Sequence, residues 1–308
     1  MNHARCLPVI MTAILSLLPG CTAPQVTFEN HQSLSAPAQD AKTFQTATPN
    51  GEIVLQGRDT DLCSVHAHIT GHATTTQRAR QLAENTRLEF VQDNGALTLL
   101  IHQPKTGKHE SVCVSLTVTA PAHLGLSLRS SNGRIEVSSM KNSVHADTSN
   151  GAIEVCNIDG PVNLHSSNGR IETRDINGPV NLHSSNGQII VRNVSSSLDL
   201  RTSNGQIDAR QIRDDLKAHT SNGDISIVYG ELAPNACDID LHTSNGHVEI
   251  TLPSDYSAHA DIATSHGSIT SDQPISVTGP IKNSCKGTFG AAEASLKIRT
   301  SNGSIHIH

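Results

Sequence analysis

From about residue 130 onwards, apolar and polar residues alternate in short runs that recur every 18 residues. One copy has apolar or small residues at Ile171, Thr173, Ile176, Val180 and Leu182, and neighbouring copies repeat this spacing. Steps of two are typical of strands, because alternate side chains face opposite sides of a sheet. Steps of three and four break the alternation and indicate corners. No helix fits, because i, i+2 spacing dominates and β-branched residues fill the apolar positions.

Repetition at a short fixed period is typical of a solenoid. Each 18-residue unit is expected to form one coil, and equivalent strands of successive coils should pair in parallel about 4.8 Å apart. Parallel crossovers are right-handed in nearly all sheets. We therefore predict an all-β protein that folds as a right-handed parallel β-helix, a β-solenoid of about 18 residues per coil.

The tripeptide Ser-Asn-Gly stands at the same point of each coil. Asn-Gly tolerates positive φ, so it predicts a sharp corner there. Stacked asparagines can also hydrogen-bond amide to amide along the column, which favours a structural ladder over a binding role. The pairs Gly160-Pro161 and Gly178-Pro179 predict a second corner. The ladder positions are Asn132, Asn150, Asn168, Asn186, Asn204, Asn222, Asn245 and Asn302.

The spacing lengthens after Asn222. The next intervals, to Asn245, to His266 and to Asn302, are 23, 21 and 36 residues. The residues around Glu231 leave the following apolar positions in phase, as a loop bulging from one corner would. We therefore expect insertions in the late coils.

The first 21 residues follow another pattern. A polar start with Arg5 leads into an apolar run that is too short to span a bilayer and is typical of a signal peptide. The run ends in Leu18-Pro19-Gly20-Cys21, which is similar to a bacterial lipobox, the signal for cleavage before a cysteine that becomes lipidated. Lipidation of Cys21 would anchor the chain, at about 0.8 kcal/mol per buried methylene. Thr22 rather than Asp follows, which favours the outer membrane of a Gram-negative cell.

Four parts of the chain are predicted. A signal peptide (1–20) precedes a flexible tether (21–49) of Ala, Pro, Ser, Thr and Gln. Residues 50–120 form a strand-rich cap with one short helix near Thr75 to Asn85, opened by a Thr74-x-x-Gln77 capping box. The solenoid repeats occupy 121–308.

A family resemblance rests on three motifs: the repeated "TSNGxI", the opening "NGEIVLQG" at Asn50, and the closing "LKIRTSNGSIHI". Together with the strand-helix-strand cap, they resemble the DUF4097, or toastrack, domains, which are described as adhesins. The resemblance covers about 50–308. It implies a β-solenoid of cell-envelope proteins, and it brings no catalytic motif.

One outward column could carry metal chemistry: His165, His183, Arg201, His219 and His242. Vertical neighbours about 4.8 Å apart could share Zn²⁺ or Cu²⁺ between two imidazoles. However, Arg201 interrupts the column, and no carboxylate or cysteine completes a tetrahedral set. The four histidines are therefore candidate ligands on a face that we expect to be solvated, and no cofactor is predicted.

A second column alternates acids and bases, among them Glu172, Arg174, Asp208 and Arg210. Polysaccharide-active β-helix enzymes place such groups on an outer face, so a lyase or hydrolase groove is the alternative. Alternating charges that keep an exposed sheet soluble explain the pattern more simply.

The amino-acid composition limits the classes of molecule that the protein is expected to bind. Aromatic residues make up only 2% of the chain, which leaves few platforms for sugars. The net charge of −6 offers no basic footprint for nucleic acid. In an oxidising envelope, Cys63–Cys113 and Cys237–Cys285 could form disulfides, although the sequence does not fix the connectivity. We predict a non-enzymatic, lipid-anchored envelope protein that presents its surface to a protein or polysaccharide partner.

Lipidation of Cys21 is directly testable. Because the acyl chains attach to this thiol, Cys21→Ser should leave the protein soluble or unprocessed and abolish labelling by a clickable fatty acid. Membrane fractionation and in-gel detection measure both effects. A Cys21→Ser protein that still labels and still sediments with membranes would contradict the lipobox interpretation.

Overall fold

The computed structural model describes residues 25–277 and 283–308. The described chain divides into two compact units, unit 1 ending at Gly151 and unit 2 running from Ala152 to His308. The predicted fold class, all-β with parallel solenoid sheets and one short helix, is confirmed. The division falls at residue 151 and not at 120, where the cap was expected to end. The predicted signal peptide and Cys21 lie outside the described residues.

Within its described residues, from 25 onwards, unit 1 contains ten strands and one helix. They are β1 (Val26–Pro37), β2 (Thr43–Thr48), β3 (Ile53–Arg58), β4 (Leu62–Ala73), α1 (Thr76–Glu84), β5 (Arg87–Asp93), β6 (Ala96–His102), β7 (Ser111–Pro121), β8 (Gly125–Ser130), β9 (Ile135–Met140) and β10 (Val144–Thr148). One sheet has the order β1-β4-β7-β3-β9 and the other β5-β6-β2-β8-β10. The β1-β4-β7 pairs and the β5-β6 pair are antiparallel, whereas β2 and β3 pair in parallel with β8 and β9.

The predicted tether over 21–49 is wrong from Val26 onwards, because β1 and β2 occupy it. β1 pairs with β4 along 12 residues. Its inward positions include Phe28 and the polar Asn30, whose amide donates to Ala83 O at 3.3 Å under α1. The strand therefore lacks the apolar content that would distinguish it from a linker. At nine residues, α1 is too short to span a membrane, and no other helix in the described part of the chain could do so.

The helix begins one residue later than predicted. Thr75, not Thr74, is the N-cap, and its side chain accepts from Arg78 N at 3.3 Å. The third helical position is then Arg78, so the expected capping box with Gln77 does not form. α1 buries Ala79, Leu82 and Ala83.

Unit 2 contains 17 strands among its described residues. They are β11 (Ile153–Ile158), β12 (Val162–Ser166), β13 (Ile171–Ile176), β14 (Val180–Ser184), β15 (Ile189–Val194), β16 (Leu198–Thr202), β17 (Ile207–Ile212), β18 (Leu216–Asn222), β19 (Ile225–Tyr229), β20 (Ile239–Asn245), β21 (Val248–Thr251), β22 (Ala258–His266), β23 (Ile269–Ser271), β24 (Ser276–Val277), β25 (Ser284–Phe289), β26 (Ala294–Asn302) and β27 (Ile305–Ile307). In unit 2, the odd-numbered strands from β11 to β21, followed by β27 and β23, form sheet A. The even-numbered strands from β12 to β20, followed by β26, β22, β25 and β24, form sheet B.

The late coils of unit 2 do not stack in chain order. β26 lies between β20 and β22, and β27 lies between β21 and β23. The chain leaves β22 and reverses through β25, which is antiparallel to β22. The 36-residue interval between His266 and Asn302 therefore contains a reversal rather than a second regular coil. We call β26 and β27 the interposed coil.

The core of unit 2 is a stack of identical inward positions. Leu164, Leu182 and Leu200 are paired in register, and none of the three is exposed to solvent. The parity break in sheet A comes from left-handed residues at the same point of successive strands. They are Asn157, Asp175, Asn193 and Gln211, with φ of 57, 57, 54 and 59°. The Asn and Gly of the Ser-Asn-Gly corners do not have positive φ, so the expectation of left-handed backbone there was wrong.

Neighbouring residues on β14 should differ sharply in their contribution to stability. Leu182→Ala should lower the free energy of unfolding by about 2–5 kcal/mol, because burial is lost and a cavity remains. His183→Ala, which alters an exposed side chain, should lower it by less than about 0.5 kcal/mol. Urea denaturation measures both, and equal losses would contradict the assigned alternation.

Candidate interaction surface

The Ser-Asn-Gly asparagines form a ladder of side-chain hydrogen bonds. Each Nδ2 donates to the Oδ1 of the asparagine in the adjacent coil. In unit 2 the pairs are Asn186 to Asn168 (2.8 Å), Asn204 to Asn186 (2.9 Å), Asn222 to Asn204 (2.9 Å), Asn245 to Asn222 (2.9 Å) and Asn302 to Asn245 (2.8 Å). In unit 1, Asn150 donates to Asn132 and Asn132 to Asn50, both at 2.7 Å. The side-chain amides thus hydrogen-bond to one another from coil to coil, although the asparagine side chains lie at the surface.

The adjoining glycines are required by close backbone approach. A Cβ on Gly187 would lie 1.8 Å from Gly169 O, and one on Gly205 would lie 2.1 Å from Gly187 O. Buried hydroxyls complete the corner: Ser184 Oγ accepts from Gly187 N at 2.8 Å and donates to Gly169 O at 3.3 Å. The repeated Ser-Asn-Gly tripeptide therefore allows successive coils to stack closely.

The predicted histidine column lies on the outer face of sheet B. The rings of His165 and His183 stack with centroids 5.0 Å apart, and those of His219 and His242 meet edge to face at 6.0 Å. Burial lowers the pKa of His183, and the neighbouring His165 and Arg201 lower it further. Arg201 instead binds Asp199, at 2.8 Å. The column supplies pairs of imidazoles and no group of three ligands.

The charged column of sheet A is a set of ion pairs. Arg170 contacts Glu172 at 2.6 Å, and Asp208 contacts Arg192 at 2.7 Å and Arg210 at 3.1 Å. Burial raises the pKa of Asp208, but hydrogen bonds from Arg192 and Arg210 outweigh this and leave the pKa below its ordinary value. A general acid needs a raised pKa, so this pairing does not suit acid catalysis at neutral pH.

A groove runs along sheet B where its strands begin. Two adjoining hollows of about 420 and 310 Å³ share Asp215, Leu216 and Lys217. We call them together the sheet B groove. Its rims are two columns, one at the corner and one facing outward from the strands. The column at the corner comprises Pro161, Pro179, Ser197, Asp215, Asp238 and Ser295. The column that faces outward comprises Asn163, Asn181, Asp199, Lys217, Asp240 and Lys297.

The predicted disulfides are not present in the structure, in which all four cysteines are free. In unit 1, Cys113 pairs in register with Thr70, seven residues along β4 from Cys63, so about 23 Å separates them. Disulfides need Cα atoms closer than about 7 Å. Burial raises the pKa of Cys63 to about 12. In unit 2, Cys237 precedes β20 and Cys285 lies in β25, with β26 and β22 between those strands.

Two groups of potential metal ligands were not predicted from the sequence. Glu29, His31 and His68 meet across β1 and β4, where His31 pairs with His68. Asp272, His306 and His308 meet across β23 and β27 of unit 2. The i, i+2 spacing of His306 and His308 was a usable signal. Their acidic partner Asp272 gave no such signal, because it follows a different strand, β23.

A profile of the family described as Toastrack DUF4097 matches residues 46–308. The chain belongs to this family. The resemblance inferred from the repeated "TSNGxI" is thereby confirmed. No curated protein matches the sequence.

The solved structures that are similar to the chain include the following three. The "putative adhesin" of Bacteroides fragilis is 12% identical, with 91% of this chain and 97% of that chain covered and a TM-score of 0.39. The "putative lipid binding protein" of Parabacteroides distasonis is 14% identical, with coverage of 91% and 97% and a TM-score of 0.43. The "putative cell adhesion protein" of Clostridium sporogenes is 11% identical, with coverage of 91% and 98% and a TM-score of 0.26.

The glycine column can be tested by adding a single methyl group. Gly187→Ala should lower the free energy of unfolding by about 1–3 kcal/mol, because the new Cβ overlaps Gly169 O. Gly230→Ala is the matched control, since its Cβ would meet no atom closer than 3.5 Å. Urea unfolding compares the two, and close stacking would be refuted by equal stability.

Proposed function

We propose that this chain is a non-enzymatic, lipid-anchored protein of the bacterial cell envelope whose sheet B groove binds an extended, basic segment of a partner protein. The groove is the observation that carries the proposal. Family membership supports the envelope assignment. The anchor at Cys21 and the outer-membrane location rest on the lipobox and Thr22.

The dimensions of the groove suit an extended chain. It crosses six parallel strands, from β12 to β26, and five spacings of about 4.8 Å make it about 24 Å long. An extended segment of about seven residues has this length. At one end, Pro161 and Pro179 face Asn163 and Asn181. The proline rings offer apolar contact, and the exposed amides can both donate to and accept from a peptide backbone.

The charge of the groove favours a basic partner. Four aspartates and two lysines line it, and because Asp199 is paired with Arg201, the acids left for a partner are Asp215, Asp238 and Asp240. Asp215 Oδ1 accepts from Asp238 N at 2.8 Å, and Asp238 Oδ1 accepts from Ser295 N at 2.9 Å. These backbone contacts hold the two carboxylates in a fixed row. Complementary charge raises association rates and rejects wrong partners.

A polysaccharide fits the groove less well than a peptide. No aromatic ring lines either hollow, so a sugar ring would have no stacking platform. The acids that could serve a polysaccharide-active enzyme are instead paired with arginines on sheet A, as Glu172 is with Arg170. Both observations favour protein binding over carbohydrate chemistry.

Site-specific photocrosslinking in intact cells tests the proposal. A photoreactive amino acid at Asn181 should yield a discrete, protease-sensitive adduct, whereas the same group at Arg174 on sheet A should not. Asp240→Lys should lower the yield at least about tenfold, because it places a positive charge against a basic partner. Glu172→Lys makes the same charge change on sheet A and should leave the yield unchanged.

Three outcomes would contradict the proposal. Equal crosslinking at Asn181 and Arg174 would remove the groove from the function. A protease-resistant, periodate-sensitive adduct would make the partner a polysaccharide. Turnover of an envelope polysaccharide that disappears in Glu172→Ala or Arg174→Ala would make the protein an enzyme.

A further inference from the structure

The interposed coil brings histidines and carboxylates together on sheet A of unit 2. His306 lies in β27 and His308 directly follows it. Glu249 of β21 pairs in register with His306. Asp272 follows β23, and its N–H donates to Ile307 O at 2.8 Å. The strands on both sides of β27 thus each present a carboxylate to its histidines.

Both histidines contact the Asp272 carboxylate, and His306 Nε2 lies 3.4 Å from its Oδ1. The Oδ2 of Asp272 lies 3.4 Å from His306 Nε2 and 2.9 Å from His308 Nδ1. The ligand atoms of the three residues all lie within 4.8 Å of one another. In a tetrahedral zinc site with bonds of 2.0–2.2 Å, neighbouring ligand atoms are about 3.3 Å apart. Small side-chain adjustments would therefore let these atoms share one ion.

Glu249 fixes the orientation of His308. Its Oε1 lies 2.9 Å from His308 Nε2, on the opposite side of the ring from Asp272. When Nε2–H donates to Glu249, the lone pair of Nδ1 points towards Asp272 and His306. Histidines bound to zinc are held by a carboxylate in this way.

We propose that Asp272, His306 and His308 bind a divalent transition-metal ion of the zinc class, with Glu249 as the positioning residue. Two imidazole nitrogens and one carboxylate oxygen suit zinc, whereas magnesium and calcium require sets of oxygen ligands. A metal bound here would join β27 to β23 directly and to β21 through Glu249. It would therefore stabilise the interposed coil in its position between two others.

Zinc titration calorimetry on the untagged mature protein tests the site. His306→Ala and Asp272→Asn should each weaken zinc binding by at least about 100-fold, because a direct ligand is lost. Glu249→Ala should weaken it by about 10–100-fold, because the orienting partner is lost. Zinc should raise the melting temperature of the wild type and leave that of His306→Ala unchanged. Excess magnesium or calcium should not displace the ion.

Matched variants separate this site from other histidines and acids. Glu172→Ala removes a carboxylate from the same outward column of sheet A and should leave zinc affinity unchanged, as should His242→Ala on sheet B. His31→Ala tests the second group, in which His68 Nε2 lies 3.5 Å from Glu29 and has no hydrogen-bond partner. Zinc binding that survives both His306→Ala and Asp272→Asn, or that is lost only in His31→Ala, would overturn the proposal. Crosslinking at Asn181 reports separately on the groove.

Discussion

The structure depends on how closely successive backbones approach at one corner. At each Ser-Asn-Gly, the carbonyl oxygen of one glycine occupies the space that a side chain on the next would need. Coils can therefore stack at the spacing of sheet hydrogen bonds only if this position has no Cβ. The constraint applies once per coil, which explains why the tripeptide repeats where other surface residues vary.

The other polar features of the corner follow from this approach. Backbone groups buried at this corner need hydrogen-bond partners nearby. The buried hydroxyls of residues such as Ser184 and Thr202 provide them by donating hydrogen bonds to the glycine carbonyl oxygens. The asparagine amides then satisfy each other on the outside. With the corner self-contained, the outward strand positions are free to vary, and they carry the groove on sheet B and the ion pairs on sheet A.

Local periodicity was sufficient to predict most of unit 2. Alternation placed Leu182 inward and His183 outward, and both assignments agree with the structure. The strand β1 was missed because its inward positions include Asn30, and its partner β4 lies far along the chain. Contacts between distant segments likewise determine the cysteine positions, the acidic partners of His306 and His308, and the sheet B groove. No single repeat contains that information.

The position of the interposed coil has a consequence for how the chain folds. A regular solenoid can grow by adding each coil to the one before it. Here the glycine column runs from Gly246 to Gly303 and only then back to Gly267, so the coil containing Gly267 has no native neighbour until later residues arrive. The interposed coil and the coil containing Gly267 must consequently assemble together on the coil containing Gly246, which itself stacks on the preceding coil in chain order. This assembly requires long-range loop closure, which is slow compared with the coil-by-coil propagation available to the rest of the stack.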